Sequence, residues 1–498
     1  MARYLPSHAF MRYFQHSNAR VRLVAILAVA TTLLLFIATF RDAFPSLTRL
    51  NPNHVDALRA RDAIIASAQK YVDEQLPASA FGEMGSRTET LTKWMGEAEI
   101  LRHNLSKKEF SLLATQLEDA TISMYPFLKN PTSPNDPLPF STLRKNVVPG
   151  SKGIVIAAGK SHFRYALHLI GSIRNVLQSN LPIQVMYAGE NDLPSNYRQT
   201  LRSMFQHVET LDLLTIFSDT TIDLQHGTWA IKPFAILAST FEQVIALDGD
   251  AVFLQKPDVI LESHSGYRSR GALLFHDRLL WQNVFKERAE WWRKEMGDRT
   301  PSDTLQKSKV WMEGYAEECD SGVVVVDKSR LPVLMALLHI CWQNSAAVRT
   351  DWTYRLTYGD KESWWFGLEL CGVPFVFEEH YAAVLGQTEY RDQLQLVCSF
   401  SIAHLDERSK LLWYNGSLLK NKAVNLTDFL VPDSWMVDGE WLKGNTKAQL
   451  SCMRKTDVRQ LDEDAKQIIG ESIAVAKRID REVQDLGIDL IAESDMHL

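Results

Sequence analysis

Beyond Gly153 this chain alternates short apolar runs with amphipathic segments, and that alternation constrains its fold more than any other feature. GIVIAA (153–158) reads as a buried strand and HFRYALHLIGSIRNVL as an amphipathic helix. IQVMYAG and NYRQTLRSMF repeat the pair, and WAIKPFAILAST leads as a helix into the strand QVIAL at 243–247. Further strands are read at GALLFH (271–276), VVVV (323–326) and PFVFE (374–378). Strands separated by helices of this length predict an α/β domain, with a mainly parallel sheet covered on both faces. With 54 basic and 60 acidic side chains in 498 residues, the net charge is −6. That balance offers no broad footprint for nucleic acid.

The strand at 243–247 runs directly into Asp248-Gly249-Asp250. In open α/β sheets ligands bind beyond the carboxyl ends of the strands. Two aspartates there are hard oxygen ligands for Mg²⁺ or Mn²⁺, with a glycine that permits close backbone approach. A divalent ion so held neutralises a diphosphate and stabilises it as a leaving group. The same residues also fit an Asx turn capping the strand. They fit, too, the nucleophile loop of a haloacid-dehalogenase-type phosphatase, although that loop normally follows the first strand of its domain. A non-catalytic glycan-binding protein on the same fold is a further alternative.

Context narrows these readings. Five blocks occur in order: GIVIAAGKSHFRYALHLIGSIR, IKPFAIL, FEQVIALDGDAVFLQKP, ECDSGVVVVDK and GDKESWWFGLELCGVPF. Through them the chain resembles, from roughly residue 150 to 420, the fungal α-1,3-mannosyltransferase family (glycosyltransferase family 71), whose domains are of the Rossmann-like GT-A type. The resemblance implies a Mn²⁺-dependent enzyme that moves mannose from GDP-mannose to a glycoprotein glycan, forming an α-1,3 linkage with retention. Use of another sugar nucleotide stays open as an alternative. The resemblance further implies that Ala157, Gly159 and Lys160, after the first strand, meet the nucleotide. Lys232, Asp248, Asp320 and Ser321 would contact the sugar-nucleotide, and Lys410 would cover its diphosphate. Asp248, Asp250 and His404 would hold the metal. Asp360 and Glu362, which open the aromatic-rich segment Trp364-Trp365-Phe366, would act at the anomeric carbon or on the acceptor hydroxyl.

The amino-terminal region carries an address. Residues 23–40 read LVAILAVATTLLLFIATF, an uncharged run long enough to span a bilayer as a helix. Arg3, Arg12, Arg20 and Arg22 precede it without an acidic residue, which predicts a cytosolic tail (1–22) and a retained signal-anchor (23–40). The single basic-tailed span also fits the resemblance, which implies a type II Golgi membrane protein with a luminal catalytic domain, open to association in a Golgi transferase complex. The sequons at Asn104, Asn415 and Asn425 all lie beyond the span and predict N-glycosylation. Residues 41–150, helical until a proline cluster, are expected to form a stem, 151–430 the catalytic domain and 431–498 a C-terminal helical segment. Five cysteines without a CxxC pair argue against structural zinc and leave at least one thiol outside any intrachain pairing.

Overall fold

The computed structural model describes residues 53–490, apart from positions 392 and 447. The apolar run at 23–40 and its basic flank lie outside the described residues. Among those described, no single helix is long and apolar enough to cross a membrane.

Up to residue 377 the chain forms β1 (Val148–Ala157), β2 (Ile183–Tyr187), β3 (Val208–Asp212), β4 (Phe241–Asp248), β5 (Ala251–Phe253), β6 (Ala272–His276), β7 (Cys319–Asp327) and β8 (Val376–Phe377). All but β5 join one sheet in the order β3-β2-β1-β4-β7-β6-β8. It is mainly parallel, as the alternating pattern predicts, but β7 runs antiparallel to both β4 and β6. Side chains partition between its faces with the two-residue period of a strand. Val155, Val244, Ala246, Val324 and Val326 enter one core. Their neighbours Ile154, Ile156, Ile245, Leu247, Val323 and Val325 enter the other. Helices cover both faces, which explains strands that read as continuous apolar runs.

A second sheet collects β5 with β9 (Ala383–Arg391), β10 (Leu394–Ser399), β11 (Ile402–Leu405), β12 (Leu411–Asn415), β13 (Ser434–Met436), β14 (Glu440–Leu442), β15 (Ser451–Arg454) and β16 (Arg459–Gln460). Its pairings are antiparallel. The short polar strands of β13–β16 carry little periodicity, so the expected C-terminal helical segment begins as sheet and becomes helix only at Glu463–Asp485. That helix docks on helix Phe163–Gly171, where Asp480 accepts from Arg164 at 2.6 Å and pairs with His168 at 2.7 Å. A disulfide joins Cys398 of β10 to Cys452 of β15, and the remaining three cysteines are free and buried.

The segment expected as a stem is helical over His54–Asp73, Phe81–Leu101 and Lys107–Met124. The last starts at a capping box in which Ser106 and Glu109 exchange side-chain and main-chain bonds. These helices do not stand off from the sheet. Phe81 inserts between Trp291 and Trp342 at ring separations of 4.9 and 5.0 Å, and the helices share the larger core with the sheet. Helix Phe81–Leu101 carries the contact with the catalytic domain, and helices His54–Asp73 and Lys107–Met124 pack on it and on each other.

Candidate active site

The parallel strands of the first sheet end together. Ala157 lies beside both Met186 and Asp248, and Tyr187 lies beside Asp212, so four carboxyl ends form one edge. Asp248 closes β4, and after Gly249 and Asp250 the chain enters β5 in the other sheet. The two aspartates therefore occupy the corner where the sheets meet. Gly249 is not demanded by space there, since a Cβ would lie 3.5 Å from its nearest neighbours, an ordinary contact. Gly159 is different: a Cβ would fall 1.8 Å from Asp192 Oδ1. Asp192, whose main-chain O accepts from Lys160 N at 2.8 Å, is the group approached so closely. The Lys160 side chain is exposed beside this edge.

Lys232 links the corner to β7. It sits in the first turn of helix Ile231–Ala238, buried, and its Nζ reaches Asp248 Oδ1 at 2.6 Å. It also donates to Ser321 O at 2.7 Å and Ser321 Oγ at 3.0 Å, and lies 3.5 Å from Asp360 Oδ2. Burial opposes its charge, but Asp248 and Asp360 outweigh burial and hold the ammonium protonated. Asp248 is held above the usual carboxylate range by burial, with Asp250 and Asp360 adding to the rise and Lys232 opposing it. For Asp250 burial is outweighed by Lys422, whose Nζ pairs with Oδ2, so its carboxyl is lowered.

Asp320, fully buried at the start of β7, accepts from Gly322 N at 2.9 Å, Asn415 Nδ2 at 3.1 Å and His404 Nε2 at 2.9 Å. The His404 ring stacks on Trp413 with centroids 4.1 Å apart, and its Nδ1 has no hydrogen-bond partner among the described residues. His404 thus serves Asp320. In this arrangement the Nε2 of His404, expected as third metal ligand, is engaged by Asp320 on β7 rather than by Asp248 or Asp250.

Three further expectations change. Glu362 points away from the corner: Oε1 accepts from Glu318 N at 3.0 Å and Cys319 N at 3.4 Å, and Oε2 from Trp365 Nε1 at 2.6 Å. Burial pushes its carboxyl up to about 8, with Arg288 and the Trp365 bond opposing. It clamps the approach to β7 and does not face a ligand. Asp360 is only 2% exposed and holds Ser321 Oγ at 3.2 Å and Trp364 Nε1 at 2.9 Å, so it positions Lys232 from behind. Lys410 is exposed at the turn between β11 and β12, whereas Asn415, which lies beside Ala251, is at the corner end of β12. Five residues of strand put Lys410 about 16 Å from that end at ~3.3 Å per residue. The lysine that joins Lys232 at the DGD pair, on Asp250, is instead Lys422, in the loop after β12.

The sequons also separate. Asn104 lies in the turn before helix Lys107–Met124, and Asn425 in an exposed loop where its Oδ1 accepts from Thr427 N at 2.8 Å. Asn415 spends its Nδ2 on Asp320, inside the site.

Charge bookkeeping tests whether a cation fits. Asp248, Asp250, Asp320 and Asp360 contribute four carboxylates, against the ammoniums of Lys232 and Lys422. The nearby Lys361 is taken up by Asp277. Even with His404 protonated the cluster remains net negative, and its donors are hard oxygens. A divalent cation matches both properties.

Comparison with known proteins supplies the family. The family model described as "Mannosyltransferase putative" matches residues 151–406, just over half of the chain. The Saccharomyces cerevisiae alpha-1,3-mannosyltransferase MNT3 is 24% identical over 439 residues, covering 77% of this chain and 68% of MNT3. MNN1 of the same yeast, also named an alpha-1,3-mannosyltransferase, is 25% identical over 349 residues. That match covers 59% of this chain but 43% of MNN1, so the chain spans less than half of that relative. Among solved structures, the galactosyltransferase LgtC in complex with donor and acceptor sugar analogs aligns over 45% of this chain and 72% of its own. Its TM-score is 0.29 at 14% identity, too slight a likeness to bear on fold or function. The family match does bear on it, and this chain belongs to the mannosyltransferase family that its five ordered blocks resemble.

Proposed function

We propose that this chain is a GT-A mannosyltransferase of the Golgi lumen. It transfers mannose from GDP-mannose to glycans of glycoproteins, forming an α-1,3 linkage with retention. The observation that carries the reading is the excess of carboxylates over ammoniums at the carboxyl ends of the strands, where Asp248 and Asp250 would hold Mn²⁺. A bound divalent ion supplies charge neutralisation for a departing diphosphate. Lys232, anchored by Asp360 and Ser321, fixes the orientation of Asp248, and Lys422 does the same for Asp250. The printed names of MNT3 and MNN1 support mannose as the sugar and α-1,3 as the linkage. The Cys398–Cys452 disulfide suits an oxidising compartment. A phosphatase of the haloacid-dehalogenase type is not favoured, because the DGD loop follows the fourth strand and Asp248 Oδ1 is held by Lys232.

A donor screen tests the proposal. The purified chain is incubated with GDP-mannose, UDP-galactose or UDP-glucose and a mannose-terminated acceptor, with Mn²⁺ or with a chelator. Transfer from GDP-mannose that needs Mn²⁺ and falls in Asp250→Asn is expected. Transfer from a UDP-sugar alone, or turnover indifferent to chelation, would sink it.

A further inference from the structure

A cleft of about 660 Å³ opens between the loop that follows β6 and the β14–β15 hairpin, with Trp281, Tyr315, Trp441 and Lys443 in its walls. Its volume is that of a small-molecule site, ~300–1,000 Å³. Trp281 is 46% exposed and has φ +48°, a left-handed conformation in which a bulky side chain is an outlier. The loop is nevertheless tied down. Ala316 N donates to Leu280 O at 2.9 Å, Asn283 N to Gly314 O at 2.7 Å and Gln282 Nε2 to Glu313 O at 2.9 Å. The indole meets Phe285 edge-on, with centroids 6.3 Å apart, but leaves much of its surface in the cleft, so the strained backbone points to a further contact there.

The other wall completes an amphipathic surface. Trp441 is fixed by donation from Nε1 to Ala382 O at 3.2 Å, with the Arg278 guanidinium 5.8 Å from its ring. Lys443 has no ion-pair partner among the described residues. A flat apolar wall beside an uncommitted donor suits a ligand with an apolar ring face and a rim of hydroxyls, which describes a pyranose. A chain of contacts leads from the loop beside the cleft toward the corner. Asp277, just before the loop, pairs with Lys361, which follows Asp360, and its N donates to Glu318 O at 2.8 Å.

We propose that this cleft binds the acceptor oligosaccharide, with Trp281 stacked on a sugar ring beyond the one that receives the mannosyl group and Lys443 donating to hydroxyls. The proposal rests on the glycosyl transfer inferred above, and its test is made separable from it. Calorimetric titration of the full chain with α-linked mannotetraose, without donor, reads binding alone. Trp281→Ala should raise Kd roughly threefold to tenfold, the value of one aromatic contact, and Trp281→Phe should recover part of the loss. Lys443→Met should also weaken binding, while GDP affinity and thermal unfolding stay those of wild type in all three. A wild-type chain that does not bind the saccharide, or Ala and Met variants that bind it as wild type does, would overturn the assignment. Weakened saccharide binding without transfer from any nucleotide-sugar would leave the cleft standing and remove the proposed activity.

Discussion

Replacing Lys232 by methionine keeps the length of the side chain and removes its ammonium. The lost partners are Asp248 Oδ1 at 2.6 Å, Ser321 O at 2.7 Å, Ser321 Oγ at 3.0 Å and Asp360 Oδ2 at 3.5 Å. Asp248 has a side chain 32% exposed and can regain water. Asp360, 2% exposed, cannot, and it keeps only Trp364 Nε1 and Ser321 Oγ. The cost is that of a buried charge without its counter-ion, about 3–5 kcal/mol. Asp248, already raised, rises further without its opposing lysine. A folded-state carboxyl above its unfolded value holds a proton that the unfolded chain has released, so stability falls as pH rises through that window. The deficit should therefore be larger at pH 7.5 than at pH 5. Urea unfolding of wild type, Lys232→Met, Asp360→Asn and the double variant at both pH values measures this. With an amide at 360, which can still satisfy Trp364 and Ser321, losing the lysine should cost about 2 kcal/mol less. A loss below ~1 kcal/mol at pH 7.5, or an equal loss in both backgrounds, would refute the argument.

Glu362→Gln must turn an amide N–H₂ toward at least one of three donors, costing about 1–3 kcal/mol; thermal unfolding should show it, and an unchanged melt with collapsed kcat would return Glu362 to a catalytic role. Lys328 is buried on Ile236 O and Ser239 O, and burial pushes its ammonium down to about 7. The unfolded chain then holds a proton that the native state has lost between pH 7 and the ordinary lysine value. Stability should rise with pH there by up to ~1.4 kcal/mol per unit, and Lys328→Met should abolish that slope in urea titrations at pH 7.5 and 9.5. If the chain is N-glycosylated, Asn425→Gln should remove a glycosidase-sensitive mass increment and Asn415→Gln should not; the reverse on a gel would contradict the placement of Asn415 in the site.

Six strands of the seven-stranded sheet were legible because buried strands stand out as apolar runs, as at Val323–Val326, whereas the edge strand β3, reading VETLD with Glu209 exposed, was missed because it has no such run. The reversal of β7 was not legible either, since a run of valines has no direction. The second sheet left weaker traces: β13, β14 and β16 are two or three residues long, below any useful period. At the site, Asp248, Asp250, Lys232, Asp320, Ser321 and Asp360 were all found in short motifs and do come together. Lys422 was missed because nothing in NKAVN distinguishes a site lysine from a solvated one. Glu362 and His404 were placed by family resemblance, and a resemblance in sequence does not say which way a buried side chain turns.

The close seating of the amino-terminal helices has a practical side. A Cβ at Gly82 would fall 2.1 Å from Glu295 O and one at Gly85 2.6 Å from Leu370 O, so helix Phe81–Leu101 meets the domain backbone to backbone. The stretch matched by the family model begins only at residue 151 and stops at 406. A fragment cut to those limits would bare Trp291, Trp342 and Phe366 on one side and strip β12–β16 from the other. What is inherited as a recognisable stretch of sequence is therefore smaller than what must be synthesised for any of it to hold its shape. Expression boundaries belong before helix His54–Asp73 and after Leu490, whose side chain is buried in the domain core.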